Sequence, residues 1–174
     1  MNDIFKIVSL YCFSPIAEKK LFNLKDKLEK FEDKGLTGLI ILAEEGINGT
    51  ICGKENIVNI FHTEVKNFLR DQDLNEKISF SEKKIFKKLK IKIKAEIVTM
   101  GIDDISPEKK SGIYVDPEQW NNLLTDDNTI VIDTRNHYEV SLGSFENSIN
   151  PNLKNFREFP DWLDKNLKRI TNNN

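Results

Sequence analysis

The hydrophobic period of the first hundred residues alternates between two and about 3.6, and that alternation constrains the fold more than any other feature. Residues 4–13 are rich in Ile, Val, Tyr and Phe and predict a strand. Pro15 opens a stretch in which Ala17, Leu21, Leu24, Leu28 and Phe31 recur at spacings of four and three, one apolar helical stripe that Gly35 ends. Residues 36–43 are nearly continuous apolar and predict a short strand. Glu44-Glu45-Gly46 then turns the chain into a second strand over 47–52, closed by Gly53. Helical spacing returns over 55–70 through Ile57, Ile60, Phe61, Val65, Phe68 and Leu69. Residues 78–81 predict a short strand. Leu89, Ile91, Ile93, Ala95 and Ile97 then alternate with Lys90, Lys92, Lys94 and Glu96. Strand–helix–strand–strand–helix–strand is the split βαβ, ferredoxin-like α+β order. It predicts a four- or five-stranded antiparallel sheet with both helices on one face and the other face open. Whether residues 83–99 supply the fourth strand or an extra element beside it stays open at this stage.

A polar interval punctuated by Pro107 and Gly112, residues 103–112, divides the chain into a domain over 1–102 and a second part over 113–174. In the second part Asp116-Pro117-Glu118-Gln119-Trp120 has the capping chemistry of a helix start, with Trp120, Leu123 and Leu124 as the expected inner face. Residues 129–132 predict a buried strand of the parallel type running into Asp133-Thr134-Arg135, and 156–167 predict another helix. Helix–strand–helix opens an α/β domain without completing one.

Charge narrows the function classes. The chain has 26 Lys plus Arg against 28 Asp plus Glu, a net of −2, which excludes a uniformly basic nucleic-acid binder. Locally the picture differs: residues 81–110 carry 9 basic and 5 acidic side chains. No apolar run approaches the roughly 18–20 residues of a membrane span, and the N-terminus does not read as a signal peptide. Cys12 and Cys52 lie 40 positions apart with no clustered Cys or His, so neither a disulfide framework nor a metal site is expected, and the cytosol is the expected compartment.

Four features could carry chemistry. Glu44 to Thr50 reads as a tight hairpin, in which Gly supplies positive φ and Asn bonds its own backbone, or as a groove rim formed by Glu45 and Asn48. Seven lysines fall in the twelve positions 83–94. On a strand Lys88, Lys90, Lys92 and Lys94 share one face about 6.6 Å apart, a spacing suited to an RNA backbone and equally to a solvated, aggregation-resistant edge. Asp133 stands at the carboxyl end of an expected strand, where α/β sheets build their sites; the plainer account is a helix cap paired with Arg135. His137 reads as a surface or packing residue. Both cysteines lie in apolar runs, the setting of inert buried thiols. Among small domains of this kind, acylphosphatases hold phosphate with a basic loop after the first strand. Ser14-Pro15-Ile16-Ala17 has no such residue.

Leu39 to Thr50 (with Ala43-Glu44-Glu45-Gly46-Ile47-Asn48-Gly49-Thr50), Lys94 to Gly101, and Val131 to Glu139 (with Asp133-Thr134-Arg135-Asn136-His137-Tyr138-Glu139) together resemble the rhodanese-domain, oxygen-dependent tRNA uridine hydroxylases. Residues 143–150 and 156–160 extend the likeness. The resemblance implies a ferredoxin-like, acylphosphatase-like domain followed by the first part of a rhodanese-like α/β domain. It also implies wobble-position 5-hydroxyuridine as product, tRNA as partner, molecular oxygen as co-substrate and no further cofactor. The family's catalytic cysteine sits in a loop after the next parallel strand, a position that neither Cys12 nor Cys52 matches. No catalytic residue is carried over, Asp133 and Arg135 are expected to support the site from behind, and the 174 residues alone are expected to be inactive. A rhodanese-like sulfurtransferase and a non-catalytic RNA- or protein-binding module are the alternatives.

Overall fold

The computed structural model describes residues 4–70, 72–98, 100–101 and 112–171, the side chains of Arg169 and Thr171 excepted. The chain forms two compact units, residues 1–98 and 99–174. The interval expected as a linker, 103–112, lies outside the described residues except for Gly112.

The first unit is a five-stranded sheet under two helices. In chain order it contains β1 (Phe5–Phe13), α1 (Glu18–Glu29), β2 (Thr37–Ala43), β3 (Gly46–Gly53), α2 (Glu55–Leu69), β4 (Asn75–Ser81) and β5 (Leu89–Ile93). The strand order is β4-β1-β3-β2-β5. Among the first four strands every pair of neighbours is antiparallel, as the split βαβ order requires. The fourth is β4, and β5 is an addition on the far edge.

An all-antiparallel sheet was expected, and β5 corrects that: it pairs with β2 in parallel, Leu39 beside Lys90 and Ile41 beside Lys92. The reason is geometric. From β4 to β5 the chain crosses four strand spacings, about 19 Å, and the residues between Ser81 and Leu89 reach at most about 25 Å. The connection therefore runs almost straight across the sheet end, and the chain re-enters in the direction opposite to β4. Lys84 secures the crossing, its Nζ donating to Gly35 O at 2.8 Å and lying 5.8 Å from the Phe5 ring centroid.

The core lies between sheet and helices. Leu21, Leu24 and Leu28 of α1 and Val58, Phe61, Val65 and Leu69 of α2 pack onto Val8 and Leu10 (β1), Ile40 and Leu42 (β2), Ile47 and Ile51 (β3) and Leu89 and Ile91 (β5). Phe31 meets Phe61 edge-on at 5.2 Å. The α1 stripe begins one residue earlier than its spacing suggests. Ile16 is buried and Ala17 is exposed, because Ala17 is the N-cap and has extended backbone. In α2, Ile60 is 48% exposed, and Val58 takes the inward place.

The second unit has α3 (Pro117–Leu124), α4 (His137–Val140), a short 3-10 turn (Phe156–Glu158) and α5 (Phe159–Thr171). Helix α3 starts as its sequence demands: Asp116 Oδ1 accepts from Gln119 N at 2.8 Å, and Gln119 Oε1 accepts from Asp116 N at 3.0 Å. Two expectations fail here. Residues 129–132 form no continuous strand; among the described residues only Ile132 bridges, in parallel, to Ile149. Trp120, Leu123 and Leu124 do not make a buried face, and no residue of α3 is buried. A single bridged position presents no sheet surface against which a helix can bury its apolar side.

Candidate functional site

Three clusters carry the sequence-flagged residues, and each was built by a different part of the fold. The first is the β5 ridge. Leu89 and Ile91 point into the core, so the period of two sends Lys90 and Lys92 to the face away from the helices. Lys88 and Lys94 bracket the strand through their backbones: Lys88 O accepts from Gly38 N at 3.0 Å, and Lys94 N donates to Leu42 O at 2.9 Å. All four lysines are exposed. Register carries the same face across the sheet. Lys92, Ile41, Asn48 and Tyr11 form one row, and Lys90, Leu39, Thr50 and Ser9 the next. Ser9 Oγ and Thr50 Oγ1 share a hydrogen bond of 2.9 Å. On the opposite edge Lys77 stands beside Ser9, so this face has a half-buried centre and lysines at both edges.

The second cluster is the β2–β3 hairpin. Loop residues dock onto it, Ser14 N donating to Glu45 O at 2.9 Å and Ile16 N to Glu44 O at 2.8 Å. Gly46 has φ +149°, and a Cβ there would lie 2.0 Å from Cys12 O, so only glycine fits. Asn48 does not bond its own backbone. Its Nδ2 donates to Ile97 O at 3.0 Å, while Glu45 Oε1 accepts from Ile97 N at 2.5 Å. The two residues flagged as a groove rim thus grip both polar groups of one peptide unit's neighbourhood, and Ile97 is 2% exposed. Nothing in the local sequence links positions 45 and 48 to 97.

The third cluster surrounds Asp133. Its carboxylate is 6% exposed and accepts from Arg135 Nε at 2.9 Å, Arg135 Nη2 at 2.6 Å and Ser144 Oγ at 2.7 Å. These bonds, Arg135 first and Ser144 second, hold the carboxyl far below the usual carboxylate range. Arg135 Nη2 also donates to Gly143 O at 2.7 Å, and Ser144 Oγ shares a bond with Ser148 Oγ at 2.7 Å. Asp133 is therefore a saturated brace, with no lone pair left to act as a base. It does not cap the next helix. Asn136 does, in a capping box with Glu139. Ser144, which completes the brace, was missed by sequence reasoning. His137 is exposed.

Cys12 and Cys52 are 1% and 0% exposed. Among the described residues no group of three or more His, Cys, Asp or Glu is placed to hold a metal ion, and no helix is long and apolar enough to cross a membrane. One further titratable site lies outside every motif. His62 Nε2 sits 2.6 Å from Glu76 Oε2, and Lys66 Nζ lies 3.3 Å from Glu76 Oε1. Burial lowers the His62 pKa, outweighing the pull of Glu76.

Comparison with known proteins places this architecture. A tRNA uridine(34) hydroxylase of Prochlorococcus marinus (strain MIT 9215) is 54% identical over 167 residues, covering 95% of this chain and 54% of that protein. One from Legionella pneumophila (strain Corby) is 42% identical over 168 residues, covering 96% of this chain and 65% of that protein. The chain thus spans about half the length of the Prochlorococcus relative. Residues 5–97, the sheet and helices of the first unit, match the family described as UPF0176 acylphosphatase like domain. The chain belongs to the UPF0176 family, and its first unit is that family's acylphosphatase-like domain.

Proposed function

We propose that the chain is part of an enzyme that uses molecular oxygen to hydroxylate the wobble uridine of tRNA to 5-hydroxyuridine. The observation that carries this reading is the 54% identity, across 95% of the chain, to a protein named tRNA uridine(34) hydroxylase. The parts divide the work. Lys88, Lys90, Lys92 and Lys94 are free to meet phosphates because the core takes the alternate residues of β5, and an exposed row of cations supplies the salt-dependent part of RNA affinity. The second unit is read as the opening of a rhodanese-like α/β domain. The parallel Ile132–Ile149 bridge supports this, with Asp133 and Arg135 bracing the backbone just beyond it. The work is done in the cytoplasm, where tRNA is found.

Chemistry by a thiolate requires an exposed or electropositive setting that depresses the thiol pKa. Cys12 and Cys52 are buried and neither thiol is open to a substrate, so neither serves hydroxylation or sulfur transfer, and the 174 residues alone are inactive. The test compares this chain with a chimera that continues into the remaining sequence of the Prochlorococcus relative. Each is incubated with unmodified tRNA and oxygen, and the product is read by mass spectrometry. One added oxygen atom at uridine 34 is expected from the chimera alone. Turnover by the short chain that is lost on C12S or C52S would overturn the assignment. So would an inert chimera beside an active relative. For the ridge, K90Q and K92Q together should lower the slope of log affinity against log salt by ~0.7–0.9 per lost contact. An unchanged slope would return these lysines to the role of a solvated edge.

A further inference from the structure

The two edges of the five-stranded sheet are built differently. Strand β5 is five residues long and turns Lys90 and Lys92 to solvent, a device that discourages further strand pairing. Strand β4 is seven residues long, and every residue from Asn75 to Phe80 is exposed. Ile78 and Phe80 lie on the helix-bearing side, opposite Val8 and Lys6 of β1, yet they are 49% and 59% exposed. The flank of α2 toward this edge is polar instead, with Glu55 tied to Lys6, and His62 and Lys66 tied to Glu76. The outer backbone of β4 is open as well. Ser14 N donates to Glu45 O, which sets the phase of the ladder: even-numbered residues of β1 bond to β3 and odd-numbered ones to β4. Asn75, Lys77, Ser79 and Ser81 therefore bond inward to β1. The N–H and C=O groups of Glu76, Ile78 and Phe80 point away from the sheet, and among the described residues no strand lies beyond them.

We infer that this edge docks a second copy of the chain, the two β4 strands pairing antiparallel about a twofold axis at Ile78. Charge complementarity selects the partner and the register together. An axis at Lys77 sets two lysines against each other, and an axis at Ser79 sets Glu76 against Glu82 of the other copy. The axis at Ile78 opposes no like charges. It places Ile78 against Ile78, Lys77 against Ser79 and Asn75 against Ser81. Just beyond the strand ends it brings Asp73 of each copy opposite Lys83 of the other, and both side chains are exposed. Phe80 faces Glu76, whose charge is already met by His62 and Lys66 of its own chain. All three outward-pointing residues, Glu76, Ile78 and Phe80, then exchange hydrogen bonds across the axis. One added strand pair buries less than the roughly 1,200 Å² of a stable specific interface, so the dimer is weak, with a Kd of about 10–500 μM.

Sedimentation velocity of the 174-residue chain, from about 10 μM to about 1 mM, should show a monomer–dimer equilibrium in that range. I78K puts a lysine at the axis and should raise Kd about tenfold or more, with the thermal melt of the dilute chain unchanged. A charge swap reads the register without touching the apolar strip. D73K and K83D should each raise Kd about threefold, and the D73K/K83D double variant should restore it. Cross-linking reads the same register directly. Oxidation of an equimolar mixture of K77C and S79C chains should give the mixed disulfide in preference to either homodimer, because those two positions stand directly opposite. Cys12 and Cys52 are buried and stay out of the reaction. A chain that remains monomeric across the whole range would overturn the inference. So would a dimer indifferent to I78K, a double swap that fails to restore Kd, or S79C chains that cross-link alone more readily than the mixture.

Discussion

The two units of this chain solve the problem of apolar burial to very different extents. In residues 1–98 both helices and strands β1, β2, β3 and β5 contribute to one core, and Leu28, Leu36, Ile40, Leu42, Ile47, Ile51, Val58 and Phe61 are fully buried. Among the described residues of 99–174 the buried apolar residues are Val140, Pro151 and Leu153. Ile113, Tyr114 and Leu142 are 94%, 84% and 89% exposed. The second unit is not poorer in structural signals. Helix α3 starts in a complete capping box, and the Asp133 carboxylate accepts from both Arg135 and Ser144. The lesson is that local hydrogen bonding and capping can shape a segment while its hydrophobic surface stays unspent, because burial needs a second layer.

The widest gap between the units should appear in core deletions. F61A removes a fully buried ring packed on Phe31 and should cost about 3–5 kcal/mol by urea denaturation, whereas L142A should change stability by less than about 0.5 kcal/mol. Equal costs would erase the contrast between the units. D133N should act on the second unit alone. One of the two acceptor oxygens would become an NH2 donor facing the donors of Arg135 or Ser144, and hydrogen-exchange protection at Asp133 N, which donates to Ile149 O, should fall at least tenfold while β1 and β3 amides keep theirs. Because folding depresses the Asp133 pKa, the stability it contributes is present above the ordinary carboxylate range. It is lost as the pH falls through that range toward the folded value.

A smaller effect belongs to the clamp on Ile97. N48A should lower exchange protection around Ile97 about five- to tenfold, near 1 kcal/mol, without moving the global unfolding transition of the first unit. Loss of that transition would make the clamp part of the core. The smallest effect is the pH response of His62. Its folded pKa lies below the unfolded value, so the unfolded chain binds the extra proton. First-unit stability should therefore decline as pH falls through about 6.5 and level off below the folded pKa. H62Q should flatten that decline, and a decline that persists unchanged would place the titration elsewhere.

Much of the first unit is legible in one dimension because its determinants are local. The spacing of Leu21, Leu24 and Leu28 sets which face of α1 is buried, and the alternation of Leu89 and Ile91 with Lys90 and Lys92 decides that the lysines face outward whichever strand β5 pairs with. The same holds for the capping box at Asp116. Pairing and convergence are decided elsewhere. The parallel placement of β5 depends on the chain crossing the end of the sheet, and the clamp depends on Glu45 and Asn48 meeting a residue about fifty positions away. Ser144 reaches Asp133 across a loop. Periodicity records how a segment divides water from core. It holds no record of which distant group will satisfy a given donor or stand beside a given charge, and in this protein that was settled by packing.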